Sequence, residues 1–375
     1  MGSHYESWPC RMCYGESRVM LALTPTPIAN SFPAEPDTHA ERLPLDVQQC
    51  LRCGHVQLRH KVEVDWVDYK YATPEANRKH LTLASIRLRQ RYPQLKTALE
   101  IGSNNGLYLD ELQRVGFEAY GVDPCAKVGI AAPFSYALAK TLPPVDLIVA
   151  NNVLAHVDDL FDVFHGIDTM LKDDGALVFE VQYLPAMIES GAFDMIYHEH
   201  RDYHTVGPWV PFLKRWGLVI TDVQEIPTHG GSIRVFCERP GLGIQVFDRQ
   251  LDWRAFKHRI QAAKTAVQRQ IVQVEGTLAC FGATAKATTL IHHFGLADLI
   301  DYCVDSTPAK QGRFIPGTKI PIHGMDMLKE RPPEAVLLTA WNFEHEIRAQ
   351  FPNLNFIVPF TKEAPWQAQA PLQAI

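Results

Sequence analysis

At 375 residues the chain exceeds what one ordinary hydrophobic core supports, so two or three domains are expected. Its 46% hydrophobic and 21% charged content is that of a soluble globular protein, and no apolar run approaches the ~20 residues needed to cross a bilayer. A formal net charge of −6 without a Lys/Arg block argues against nucleic acid as a partner, and the lack of an apolar leader points to the cytoplasm.

Residues 1–75 are rich in Pro and polar side chains, which predicts little core of their own. They hold two C-x-x-C pairs, Cys10/Cys13 and Cys50/Cys53, and four thiolates suit tetrahedral zinc. A structural ion is therefore expected to fold this module in place of a core. The remaining cysteines, Cys125, Cys237, Cys280 and Cys303, are scattered and read as small buried hydrophobes.

A helix is predicted from Leu81 to Tyr92, followed by a strand over 97–101. The loop Gly102-Ser103-Asn104-Asn105-Gly106 then opens a helix over 107–115, and a second strand over 119–122 ends at Asp123-Pro124. Strand, glycine loop and helix in that order begin a nucleotide-binding βαβ unit. Glycines admit close approach of a ligand, and the helix N-terminus offers free N–H groups. The acid before the first glycine (Glu100) and the acid ending the second strand (Asp123), which can hold ribose hydroxyls, resemble class I methyltransferases.

The apolar run 145–150 reads as a buried parallel strand delivering Asn151-Asn152-Val153-Leu154-Ala155-His156 to the ligand-binding edge. A helix over 159–171, a turn at Asp173-Asp174-Gly175 and a strand over 176–181 follow. Beyond that strand comes Tyr197-His198-Glu199-His200, which is hard to explain as packing. Two imidazoles beside a carboxylate suit proton abstraction near neutral pH. The segment 228–236 reads as a loop entering an antiparallel strand, with His229 and Ser232 facing the cleft.

Residues 250–275 predict one long amphipathic helix, and a second α/β unit opens with 277–283. Its strands are expected to end near Val304-Asp305 and to recur over 335–339 and 356–358. Lys286, Lys310 and Arg313 are its candidate contacts to a diphosphate.

Taken together, three blocks of motifs resemble the S-adenosylmethionine-dependent sugar C-methyltransferases that act on nucleotide-linked keto-deoxysugars. They are Cys10-Arg11-Met12-Cys13 with Cys50-Leu51-Arg52-Cys53-Gly54-His55; Glu100 to Gly106 through Asn152–His156 to Tyr197–His200 and His229-Gly230-Gly231-Ser232; and Phe281-Gly282-Ala283-Thr284-Ala285-Lys286 with Lys310-Gln311-Gly312-Arg313. The resemblance implies an α/β protein with three parts: a zinc-binding module (1–75), a Rossmann-like methyltransferase domain (76–249), and a linker helix with a second Rossmann-like domain holding the nucleotide-sugar (250–375). By position, His200 matches the family's base, and Tyr197, Glu199 and His156 match residues that place or assist it. Tyr71, with Tyr69 as the alternative, matches a tyrosine reaching the site. The implied cofactors are S-adenosylmethionine, against Glu100, Gly102, Asn104, Asn105, Gly106, Asp123, Pro124, Asn151, Asn152 and Val153, and structural zinc.

On this reading His200 takes the C3 proton beside a 4-keto group, and Tyr197 or His156 donates to the enolate oxygen. Glu199 is expected to orient an imidazole, as a carboxylate does in a triad. A monomer acting on a small molecule is expected. The rivals are an O- or N-methyltransferase, for which this cluster is surplus, and a zinc-knuckle RNA-binding protein, which the acidic balance disfavours.

Overall fold

The computed structural model describes residues 7–64, 77–239, 243–246 and 248–360. Tyr69 and Tyr71 lie outside the described residues.

The first segment forms strands β1 (Ser17–Thr26), β2 (Leu43–Cys50) and β3 (Val56–Leu58). Helix α1 (Arg78–Arg91) then leads into an alternating series: β4 (Thr97–Ile101), α2 (Leu107–Arg114), β5 (Glu118–Asp123), β6 (Ile130–Ala131), α3 (Tyr136–Ala139), β7 (Val145–Asn151), α4 (Leu160–Met170) and β8 (Leu171–Gln182). After α5 (Leu184–Ser190) come β9 (Asp202–Tyr203), α6 (Trp209–Lys214) and the hairpin of β10 (Val219–Ile226) and β11 (Ser232–Glu238). The long helix α7 (Trp253–Ile271) precedes β12 (Leu278–Phe281), α8 (Ala285–Phe294), β13 (Tyr302–Val304), β14 (Ile322–His323), α9 (Met327–Glu330), β15 (Ala335–Leu338), α10 (Glu344–Gln350) and β16 (Phe356–Ile357).

The central sheet runs β10-β11-β8-β7-β4-β5-β6. Its strands β4 to β8 are mutually parallel, and β11 enters antiparallel between β8 and β10. The continuous apolar character of β7 follows from cover on both faces. Leu147 and Val149 pack with Ala98 under α1 and α2, whereas Ile148 and Ala150 pack with Leu99 and Ile101 under α4 and α6. Asp159 caps α4 by accepting from Phe161 N and Asp162 N, so the predicted helix starts where its capping residue directs. The expected turn at 173–175 is instead an excursion within β8: Leu171 pairs with Val145 and Ala176 with Leu147.

The C-terminal sheet, β14-β13-β12-β15-β16, is wholly parallel. In both sheets the strand order reverses beside the first strand, between β4 and β7 and between β12 and β15. Such a switch point leaves a crevice at the carboxyl ends of the strands.

The N-terminal segment overturns the expectation that an ion alone folds it. β1, β2, β3 and β9 form a four-stranded sheet. Its Leu21, Leu23, Leu45, Val47 and Leu58 share one core with α7, α8 and the C-terminal sheet. Its cysteine end, through Cys10, Met12 and Cys50, packs instead into the core of the central sheet. Many of the apolar partners of this segment lie far along the chain, in α5, α7, α8 and the C-terminal sheet, so no local pattern announces them.

Candidate active site

The carboxyl ends of β4, β7, β12 and β15 converge on one cleft of about 1020 Å³. One wall carries Glu100, Gly102, Asn104, Asp123, Pro124, Asn151, Asn152 and Val153; the opposite wall carries Gly282, Thr284, Lys286, Asp305, Lys310 and Asn342. Between them sit His156, Tyr197, Glu199, His200 and His229, with Asn30 reaching in from the N-terminal sheet.

On the first wall, Gly102 has φ +82°, and a Cβ there would lie 2.9 Å from the Val153 Cβ. Only glycine lets the loops after β4 and β7 close on each other. Asp123 accepts from the N–H groups of Asn104 at 3.1 Å and Cys125 at 2.7 Å, which leaves carboxylate lone pairs for a diol. Burial, with the Asp123 charge adding to it, pushes Glu100 up to about 8. Its Oε2 has no partner among the described residues. Two predicted contacts are corrected. Asn105 and Gly106 do not line the cleft, because Gly106 N–H closes the turn onto Ser103 O at 2.8 Å and Gly106 serves as the N-cap of α2. Cys125, read as a buried hydrophobe, is a lining residue.

The imidazoles are fixed by carbonyl acceptors. His200 Nδ1 donates to Met195 O at 2.9 Å, and Tyr197 OH lies 2.7 Å from His200 Nε2 with the two rings stacked at 4.0 Å. His156 Nδ1 donates to Glu199 O at 2.7 Å, and its ring centre is 4.7 Å from that of His200. With Nδ1 protonated in each neutral ring, Nε2 carries the lone pair. Burial lowers His156 to about 4, lowers His229 to about 4 and takes His200 well below its ordinary range, so all three are neutral at pH 7. The cluster is therefore a set of bases, with the Tyr197 hydroxyl as its neutral donor.

Burial favours the neutral form of His156, whose Nδ1 is turned to the Glu199 carbonyl. One role assignment changes. Glu199 orients no imidazole through its carboxylate: its Oε1 accepts from Asn30 N at 3.0 Å and Asn30 Nδ2 at 3.1 Å, while burial raises its pKa. His198, the remaining member of the run, points away and meets Pro44 O at 3.3 Å.

On the opposite wall, Lys286 donates to Asn342 Oδ1 at 2.5 Å and lies 4.6 Å over the Trp341 ring. Burial lowers it to about 8, with the nearby Asp194 charge opposing that fall. Lys310 donates to Ala283 O at 2.7 Å and stands 3.6 Å from Asp305. Ser232 is a further correction, since its hydroxyl donates to Thr228 O at 3.0 Å inside the turn and does not face the cleft. Arg313 is turned to Phe32 O at 2.8 Å and does not line it either.

Sequence reasoning passed over Asn30, His80 and Glu180. Glu180 accepts from Arg234 Nε at 2.7 Å and from His80 Nε2 at 2.9 Å beside the first wall. An acid inside the apolar run of β8 was the available signal, because a buried carboxylate needs partners.

The four Sγ atoms of Cys10, Cys13, Cys50 and Cys53 lie within 4.8 Å of one another, with Cys10–Cys53 and Cys13–Cys50 at 3.5 Å. Tetrahedral Zn–S bonds of ~2.3 Å require S···S separations of ~3.8 Å, so the set fits zinc.

Three family models match the chain: "Putative zinc binding domain" over 10–66, "Methyltransferase domain" over 73–223 and "C-methyltransferase C-terminal domain" over 227–359. The chain is 30% identical to C-methyltransferase NovU of Streptomyces niveus over 382 aligned positions, covering 90% of each chain. Among solved structures it resembles a SAM-dependent methyltransferase from Archaeoglobus fulgidus at 17% identity and TM-score 0.34, over 42% of this chain and 94% of that one. It also resembles the N-methyltransferase NodS of Bradyrhizobium japonicum at 16% identity and TM-score 0.33, over 44% and 87%. Scores this low carry no weight. The full-length match does, and by it the chain belongs to the S-adenosylmethionine-dependent C-methyltransferases, with a zinc-binding module at its N-terminus.

Proposed function

We propose that this enzyme methylates C3 of a nucleotide-linked 4-keto-6-deoxysugar, for branched-chain sugar synthesis. The observation that carries the reading is the Tyr197–His200–His156 cluster, a neutral base with a phenol donor, set between two facing switch-point walls. Methylation of oxygen or nitrogen needs little beyond alignment, whereas carbon must first lose a proton. The cleft stands at the top of the ~300–1,000 Å³ range of ligand pockets, enough for donor and acceptor together.

His200 Nε2 takes the C3 proton, and the C–H electron pair moves into an enolate with its charge on the C4 oxygen. In the free site the Tyr197 O–H donates to His200 Nε2 at 2.7 Å; with substrate bound it turns to the C4 oxygen and stabilises the oxyanion, which frees the Nε2 lone pair for the C3 proton. Met195 O holds His200 Nδ1–H and so keeps Nε2 as the unprotonated nitrogen. Glu100, Gly102, Asn104, Asp123 and Asn151 to Val153 would hold S-adenosylmethionine, which supplies an electrophilic methyl group on a sulfonium. Lys286 and Lys310 on the facing wall suit the diphosphate, and His229 a sugar substituent. Zinc takes no part in the chemistry. We further read the chain as a cytoplasmic monomer divided at 1–75, 76–249 and 250–375.

The test incubates the protein with S-adenosylmethionine and a panel of nucleotide-linked 4-keto-6-deoxysugars, following product mass. One added methyl that disappears in His200→Asn supports the reading. Solvent deuterium entering beside the ketone without methylation keeps His200 as base and shows that the panel lacks the right substituents. Neither signal on any keto-sugar overturns the sugar reading.

A further inference from the structure

The cysteine knuckle reaches the loops that carry His156 and His200 through the side chain of Arg11. His156 and His200 lie on two loops that are zipped together. Arg201 N–H donates to Ala155 O at 2.7 Å, His156 Nδ1 to Glu199 O at 2.7 Å, and Arg201 Nη1 to His156 O at 2.5 Å. At the outer end of this zip, three acceptors face one point: the carbonyls of Val157 and Asp158 on the His156 loop, and the carboxylate of Asp202 two residues beyond His200.

Arg11, inside the Cys10-Arg11-Met12-Cys13 knuckle, meets all three. Its Nη1 donates to Asp202 Oδ2, and its Nη2 donates to Val157 O at 2.5 Å and Asp158 O at 3.1 Å. Arg11 is 8% exposed, and the second Asp202 oxygen is taken by His55 Nε2 at 2.8 Å. The Arg11 backbone is held too: its N–H donates to Gln57 Oε1 at 2.7 Å, and Gln57 Nε2 returns to Pro9 O at 3.0 Å. Gln57 in turn pairs with Asp202 in the β3–β9 ladder. Only a planar fork of N–H donors reaches a carboxylate and two carbonyls at once.

We propose that Arg11 is a positioning residue for the reaction, through which the cysteine knuckle sets the spacing of His156 and His200. This rests on the reading of those imidazoles as the proton-transfer pair. The metal centre then acts on catalysis through geometry, from outside the cleft.

The test uses full-length, zinc-loaded protein and Arg11→Lys, which retains a cation for Asp202 but cannot span the three acceptors. Zinc content and S-adenosylmethionine affinity are expected at wild-type values. Solvent-deuterium exchange beside the substrate ketone and kcat are expected to fall about 10²-fold, the scale of a ~1 Å misplacement, with KM little changed. In ¹⁵N-histidine spectra the Nδ1–H signals of His156 and His200 are expected to shift. In Arg11→Ala, added guanidinium is expected to recover exchange, which a general folding defect does not permit. Wild-type exchange and kcat in Arg11→Lys overturn the proposal. So does a loss of exchange that merely tracks loss of zinc or of S-adenosylmethionine binding. If the wild type exchanges no proton on any keto-sugar, the substrate reading fails instead, and the Nδ1–H signals still decide the role of Arg11.

Discussion

At the scale of single residues, burial decides the protonation of the cluster. The active form of an imidazole base is neutral, and burial takes His156 and His229 to about 4 and His200 well below its ordinary range. The acid limb of kcat/KM is therefore expected well below the ordinary imidazole value of about 6.5, with the profile flat around pH 7. A pH–rate series with its acid limb centred near 6.5 would contradict this. The same shifts act on stability. These histidines bind protons more readily unfolded, so stability is full above about pH 6.5, the unfolded value, and falls as pH drops toward 4. His198 and His204, lowered by burial to about 4 and about 3, add to the effect. Thermal melts between pH 7 and 4 are expected to show a steadily falling Tm. The residue types in Tyr197–His200 were legible as chemistry from the sequence. Their roles were not, because the carbonyl and amide groups that fix them belong to Met195, Glu199 and Asn30, and nothing local marks those groups.

Among elements, the loops at the sheet edges are held by contacts between neighbours. Gly230 has φ +83°, and a Cβ there would meet the Trp341 ring at 2.6 Å. Trp341 Nε1 also donates to Asp194 Oδ2 at 2.7 Å, one residue before the carbonyl that holds His200. The loop after β15 thus braces both the His229 turn and the His200 segment. Gly230→Ala is expected to cost ~1–3 kcal/mol and to lower kcat more than S-adenosylmethionine affinity. Gly54→Ala, at φ +79° with nothing within 4 Å, serves as control and is expected to cost about 1 kcal/mol from backbone strain alone. Urea melts of the two variants separate the terms. Strand, glycine loop and helix were readable in the central and C-terminal units because apolar periodicity and capping residues such as Asp159 and Thr284 are local signals. β14, two residues long, has no period to read.

For the whole molecule, the N-terminal segment joins the other two parts. Its strands share a core with the C-terminal sheet, and its knuckle packs on the central one. Thr288 on α8 donates to Ala29 O at 3.2 Å and Thr289 to Ile196 O at 2.8 Å, so the C-terminal unit also touches the segment that leads into Tyr197. Leu45 is fully buried in the shared core, and Leu45→Ala is expected to cost ~2–5 kcal/mol. Hydrogen exchange is expected to show lost protection in β12 as well as β2; a loss confined to β2 would show that the two do not unfold together. Zinc removal by a chelator is expected to expose amides of 10–15 and 50–54 first, while the β1–β2 ladder, held by the apolar core, stays protected.

The sequence by itself determined the two nucleotide-fold units, the four-cysteine site and the residue types of the Tyr197–His200 cluster. Each is written in spacings of a few residues, where periodicity, caps and ligand chemistry act. Only the tertiary structure decided that Glu199 is held by Asn30, that Ser232, Asn105 and Gly106 stand outside the cleft, and that Arg11 closes the His156 and His200 loops. Those outcomes depend on which distant donor reaches which buried acceptor, and a buried polar group takes whichever partner the packing brings within hydrogen-bond distance.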